Sequence, residues 1–213
     1  MKKYYFLTIS VVMFILSLLG FSDNLITETG QASNSDPKFI IHGLFCFAWF
    51  IILIIQSNFI KKKNVKAHIR LGAAGMLVAL GIFITTIYIF VVVYKGWNAM
   101  PSYAKINRFF MPSFALLIWL AYRNRKIPII HKRLMLVGTF YMLGPILDRA
   151  LDHLFPDELI STTVGWGPFI IGFWTLFFIS LFIYDWLTLK KIHPITYLGL
   201  IWFGVVWAIS LNF

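Results

Sequence analysis

The sequence has few charged residues and almost no cysteine for a chain of its length. Charged residues make up 13% of its 213 residues, about half the share found in a typical soluble domain. So few charges cannot cover the surface of a water-soluble fold of this size, which excludes a cytosolic globular enzyme and a disordered chain. Cys46 is the one cysteine, so an intramolecular disulfide and a secreted disulfide scaffold are excluded too.

Common catalytic motifs are also absent from the sequence. It contains no Gly-x-Ser-x-Gly, no Walker-type glycine loop and no His-Glu-x-x-His, which argues against serine hydrolase, nucleotide-driven and zinc-protease chemistry. Acidic residues are scarce, with eight against 19 Lys and Arg and a formal net charge of +11. Because no basic stretch comes with a folded domain to present it, we expect no nucleic-acid partner.

Apolar residues, by contrast, are abundant and gathered in long runs. They make up 60% of the chain, and the mean hydropathy of +0.81 indicates that the solvent is lipid. A spanning helix needs about 20 mostly apolar residues, and seven runs are candidates: Tyr4–Phe21, Phe39–Ile60, Leu71–Tyr94, the short Phe109–Tyr122, His131–Leu154, Trp166–Tyr184 and Tyr197–Leu211. We therefore predict an all-α transmembrane bundle of about seven helices.

The runs predict a single integral membrane domain over residues 1–213. It comprises an anchor helix at 1–21, a core of four helices at 39–154 and two C-terminal helices at 166–213. The first run is longer than the apolar part of a signal peptide, and no small-x-small cleavage site follows Gly20. A retained anchor is therefore expected, and a cleaved signal that leaves six spans is the alternative.

The distribution of charge predicts the orientation. With the N-terminus in the cytoplasm, 14 of the 19 Lys and Arg lie in inner segments, and seven of the eight acids lie outside. An excess of Lys and Arg in cytoplasmic loops is the rule for membrane proteins. We predict a cytoplasmic N-terminus and an outer C-terminus, with the lipid bilayer and other membrane proteins as partners.

Ionisable residues gather near the outer end of the fifth run. If Arg133 marks the inner boundary, a rise of about 1.5 Å per residue places Asp148 about 22 Å further out, and Asp152 and His153 about 28–30 Å out. Asp148 and Asp152 share one helix face, and Arg149 and His153 share the neighbouring face. Ionisable groups at membrane depth are costly, and each is therefore a candidate for a functional site.

His42 lies at a similar depth on the second run. It is about 27 Å out if Ile60 is at the inner boundary, and Cys46 lies one turn deeper on the same face. These positions predict a heme or metal site, because imidazole is a common metal ligand that carboxylates can orient. The predicted metal ligands are His42, Asp148, Asp152 and His153, with Arg149 and Cys46 nearby. The alternative is structural: ion pairs between helices, or side chains that face headgroups and water.

The inner side offers further histidines beside many Lys and Arg. His68 and His131 are a possible inner pair for heme or a metal, and the alternative is that they contact headgroups or cap helices. His193 is predicted to be a turn residue. Arg70 and Arg133 are expected to bind lipid phosphate.

Two local patterns concern the helices themselves. His-x-Arg-Leu occurs at 68–71 and at 131–134, each time after a basic loop. This favours two duplicated helical hairpins, with coincidence as the alternative. Gly144 and Pro145 predict a kink just before Asp148.

The chain resembles a group of bacterial multi-pass inner-membrane proteins that are catalogued without an assigned activity. The resemblance rests on His-Gly-Leu-Phe at 42–45 with Trp49, on His-x-Arg-Leu-Gly at 68–72 and on His-Lys-Arg-Leu-Met at 131–135. It covers about 39–149 and implies the membrane class and the choice of histidines. A looser similarity is to membrane proteins linked to terminal-oxidase assembly and to b-type diheme cytochromes. The 22 residues between His131 and His153, about 33 Å of helix, depart from the diheme pattern.

Three functions remain open from the sequence. The first is a protein that binds heme b or a transition metal for redox chemistry or respiratory-complex assembly, with His42 and His153 as outer ligands and His68 and His131 as an inner pair. The second is a proton-coupled transporter that uses Asp148, Arg149 and Asp152 as a relay. The third is an assembly partner without ligand.

Overall fold

The structure is a computed structural model that describes residues 4–100, 102–155 and 165–212. Throughout this part of the chain the regular elements are helices, which confirms the all-α prediction. The chain divides into two compact units, Met1–Val93 and Tyr94–Phe213. Four residues that entered the charge count lie outside the described residues: Lys2, Lys3, Asp157 and Glu158. The single-domain organisation stays a prediction.

The first unit is built on a long helical hairpin. Its elements are α1 (Tyr5–Gly20), a π-helical turn (Asp23–Thr27), the short α2 (Ala32–Ser35), α3 (Pro37–Lys61) and α4 (Val65–Val92). Helices α3 and α4 pack along each other, and α1 packs against α3. The buried residues of α1 are mostly small, which allows a close approach of helices: Ser10, Met13, Ser17 and Gly20.

Local capping explains where the hairpin helices begin. The Asp36 carboxylate accepts a hydrogen bond from the Lys38 backbone N–H, and Pro37 occupies the first turn, where its missing N–H costs nothing. Asn64 caps α4 in the same way, because its side-chain oxygen accepts from the Ala67 N–H at 3.1 Å. Lys63 takes a left-handed conformation with φ of 59° in the three-residue turn before that cap.

The second unit has an aromatic core. Its helices are α5 (Ser102–Arg123), α6 (Pro128–Phe140), α7 (Gly144–Leu154), α8 (Trp166–Leu189) and α9 (Pro194–Asn212). Phe110 stacks on Tyr141 with ring centroids 4.9 Å apart and on Phe203 at 5.7 Å, and Trp174 meets Phe110 edge to face at 5.3 Å. These four rings join α5, α8 and α9 to the junction between α6 and α7.

Several helices are suited to a bilayer. Among the described residues, α3, α4 and α8 are each long and apolar enough to cross one, and α6 with α7 makes a fourth candidate if the bent pair is one span. The 58° bend between α6 and α7 confirms the predicted kink. Helices α1 and α9 are apolar but shorter. The helices thus fit an integral membrane protein. A helix lies in each of the seven predicted runs, and the transmembrane bundle of about seven helices stays a prediction.

Candidate functional site

The half of the α3–α4 hairpin that lies away from its connecting turn holds His42 in a fixed orientation. Its Nδ1 lies 2.9 Å from the Thr85 hydroxyl on α4. That hydroxyl donates its one proton to a backbone carbonyl of α4, with the Gly81 oxygen 2.8 Å away. Thr85 therefore accepts from His42, so Nδ1 carries the imidazole proton and Nε2 presents a lone pair.

The lone pair of His42 faces a thiol. Cys46 Sγ lies 3.5 Å from His42 Nε2, which confirms that the two side chains share one helix face. A tetrahedral ion such as Zn²⁺ bound at about 2.0 Å by nitrogen and about 2.3 Å by sulfur separates those two atoms by roughly 3.5 Å. The pair therefore has the spacing of two ligands of one metal ion, with Thr85 behind the imidazole.

A half-open groove lies between the N-terminal end of α3 and the C-terminal end of α4. Its cavity volume is about 490 Å³, and Thr85 is part of its wall. The other lining residues are mainly apolar, with one ion pair at the end of α3: Asp36, Pro37, Lys38, Ile41, Ile84, Tyr88 and Val92. The residue that orients His42 is thus part of the wall of this groove.

The predicted residues of α7 lie in the second unit. The Asp148 carboxylate is half-buried and accepts a hydrogen bond from Trp166 Nε1 at 2.8 Å, which joins α7 to α8. Arg149, Asp152 and His153 are exposed. Within residues 4–100, 102–155 and 165–212, no three His, Cys, Asp or Glu side chains are grouped closely enough to hold a metal ion. The joint site of these residues with His42 stays a prediction.

The two histidines of the predicted inner pair occupy equivalent places in two hairpins. His131 Nδ1 lies 2.9 Å from the Ala121 carbonyl on α5, and Gln56 Nε2 on α3 donates to the His68 carbonyl at 3.0 Å. Seven residues after each histidine, a buried glycine, Gly75 or Gly138, faces the preceding helix. This match is consistent with a duplicated hairpin, which stays a prediction, as does a ligand role for the two histidines.

Sequence reasoning missed a buried ion pair between α6 and α8 in the second unit. Arg133 and Asp185 are both fully buried. One Asp185 oxygen accepts from Arg133 Nε at 2.8 Å and from its Nη2, and the other accepts from the Thr196 hydroxyl at 2.6 Å and the His193 N–H at 3.0 Å. Arg133 Nη1 donates to the Ile129 carbonyl at 2.7 Å. The expectation that Arg133 binds lipid phosphate is therefore wrong, because its guanidinium is enclosed by protein.

His193 caps α9 beside this pair, which confirms the predicted turn position. Its Nδ1 accepts a hydrogen bond from the Ile195 N–H at 3.2 Å. Burial lowers the pKa of His193, and the positive charges of Arg133 and Lys191 lower it further, against the opposing charge of Asp185. The neutral imidazole that this cap requires is therefore the favoured form.

Comparisons with protein-family models, with curated proteins and with solved structures found no match to this chain. The function is therefore argued from the residues of the chain itself.

Proposed function

We propose that this protein is a multi-pass integral membrane protein that holds a transition metal ion for redox chemistry or for assembly of a respiratory complex. The observation that carries this proposal is His42, whose Nδ1 is bonded to Thr85 and whose Nε2 faces Cys46. A ligating histidine commonly donates its other N–H to a neighbouring group that fixes its tautomer and ring orientation. Thr85 is that group here.

The same geometry favours a metal ion over heme at His42. A porphyrin held by His42 would need the space around Nε2, where Cys46 Sγ lies 3.5 Å away, whereas a single metal ion could use that sulfur as a second ligand. Imidazole with thiolate suits Zn²⁺ or copper. The sequence offers Asp148, Asp152 and His153 as further donors. Heme b held by His42 with His153 and by His68 with His131 is the alternative.

The membrane arrangement belongs to the same proposal. The seven runs would each cross the bacterial inner membrane, with the N-terminus in the cytoplasm and the C-terminus outside, as the excess of inner Lys and Arg favours. The motifs at 42–45, 68–72 and 131–135 support membership of the resembling group of inner-membrane proteins.

The test is the metal content and absorption spectrum of the full chain purified in mild detergent. We expect bound Zn or Cu in the wild-type protein and its loss in His42→Ala and Cys46→Ser. Thr85→Val should weaken metal affinity about 10–100-fold in competition with a chelator, since it removes only the orienting group. His193→Asn is the matched control, because it changes a histidine that caps α9.

Two other results would give a different answer. A Soret band that shifts on dithionite reduction and disappears in His42→Ala would replace the metal ion by heme. Equal metal content in the wild-type protein, His42→Ala and Cys46→Ser would refute the site.

A transporter is the second candidate, favoured by the bend of 58° that directly precedes Asp148. Broken helices line the ion and substrate sites of many transporters. Here, however, the Phe140 carbonyl at the break accepts a hydrogen bond from Trp174 Nε1 at 2.6 Å. Transport by reconstituted protein that Asp148→Asn abolishes and His42→Ala leaves intact would favour this function.

A further inference from the structure

The turn between α3 and α4 presents a group of exposed cations in the first unit. Lys62, Lys63, Lys66 and Arg70 are all exposed, and we call them the basic turn. The preceding Lys61 lies instead over the Tyr4 ring, with its Nζ 4.6 Å from the ring centroid. Four cations therefore face outward from one short stretch of chain.

No described carboxylate of the first unit lies near this turn. Its described acids, Asp23, Glu28 and Asp36, all precede α3, whose 25 residues span about 37 Å. Ion pairs join Lys38 to Asp36 and Arg133 to Asp185. Neither involves the basic turn, so the described residues of the first unit supply no neighbouring negative charge for its positive field. The length of α3, about 37 Å, is several times the Debye length of about 8 Å at physiological salt.

Exposed apolar side chains are interspersed among these cations. Ile60, Val65 and Ile69 have 51%, 53% and 67% of their surface exposed. A free phosphate, a nucleic acid or an acidic peptide would satisfy the charges and leave these side chains in water. The boundary between lipid headgroups and acyl chains accommodates both.

We propose that the basic turn is a binding surface for anionic phospholipids, with the cations on headgroup phosphates and the three apolar side chains among the upper acyl carbons. Lys66 and Arg70, four residues apart, lie on one face of α4 and contact the headgroups together. This surface is separate from the proposed metal site and does not depend on it.

The experiment titrates the detergent-purified full chain with short-chain phosphatidylglycerol and, in parallel, with phosphatidylcholine of the same chain length. Binding is measured by native mass spectrometry. We expect the protein to bind phosphatidylglycerol more tightly than phosphatidylcholine, and added salt should weaken this binding. The variant Lys62→Gln/Lys66→Gln/Arg70→Gln should bind phosphatidylglycerol at least about tenfold more weakly, since each cation contributes about fivefold to the affinity. The charge-preserving control Lys62→Arg/Lys66→Arg/Arg70→Lys should bind as the wild type does. Lys95→Gln removes an exposed cation from outside the basic turn and should have no effect.

Three results would overturn the proposal. Equal affinity for the two lipids would exclude recognition of the anionic headgroup. Unchanged phosphatidylglycerol binding by the Gln variant would place the lipid elsewhere. Equal competition by glycerol phosphate would show that the turn binds a soluble phosphate without the acyl chains. If the triple Gln variant loses its helical circular dichroism, the double variant Lys66→Gln/Arg70→Gln is tested in its place. Its affinity for phosphatidylglycerol should fall by about fivefold or more.

Discussion

Removal of the Asp185 charge should destabilise the second unit strongly. Asp185→Asn keeps the shape of the side chain but leaves the Arg133 guanidinium fully buried without its counter-charge. Loss of one partner of a buried ion pair costs about 3–5 kcal/mol. For a chain of this length, 1 kcal/mol corresponds to about 2–4 °C in Tm. We therefore expect the Tm to fall by roughly 6–20 °C.

The assay is thermal unfolding in detergent, followed by helical circular dichroism. Asp148→Asn is the matched control, because the Asn side-chain oxygen can still accept the hydrogen bond that this half-buried carboxylate accepts from Trp166, so the change should cost at most about 1 kcal/mol. The double variant Arg133→Gln/Asp185→Asn removes both charges. Its loss of stability should be smaller than the sum of the losses in the two single variants. A Tm of Asp185→Asn within about 2 °C of the wild type, or strictly additive effects, would refute the reasoning.

Two further predictions concern α9. Gly199→Ala should destabilise the protein by about 1–3 kcal/mol, because the new Cβ would lie 2.6 Å from Val137 Cγ1. Gly204→Ala is the control: its new Cβ would have no neighbouring atom within 4 Å, so the change should be neutral or stabilising in the same thermal unfolding assay. The cap by His193 should make stability depend on pH. Since the folded state lowers its pKa, the contribution is complete above the unfolded-state pKa of about 6.5 and is lost as the pH falls through the folded-state pKa. The fall in Tm between about pH 8 and about pH 5 should therefore be smaller in His193→Asn, which can still cap but does not titrate; an equal fall would assign the effect to another group.

The helices could be predicted from the sequence because each apolar run is long enough to be recognised as a helix without knowledge of the helices that pack against it. The bend between α6 and α7 could be predicted for a similar reason, since Gly144 and Pro145 affect the helix only in their own vicinity. The contact between His42 and Cys46 followed from a spacing of four residues on one helix. Each of these features depends on short-range geometry.

The partners of these residues on other helices could not be predicted, because they depend on how the helices pack. Thr85 meets His42 only through the register of α3 against α4. Arg133 and Asp185 are 52 residues apart, and the position of Arg133 beside other cations suggested lipid instead. One signal of this ion pair was present in the sequence. Asp185 is the lone acid among the predicted inner segments, and a single carboxylate among cations favours an ion pair within the protein.

The separation of that ion pair along the chain also has a consequence for biosynthesis. Arg133 leaves the ribosome 52 residues before Asp185, an interval of roughly 3–10 s at typical rates of translation. During that time α6 has emerged but the carboxylate that neutralises its arginine has not. The guanidinium has no counter-charge from Asp185 during that interval, so the second unit can reach its native packing around this pair only after α8 has been synthesised.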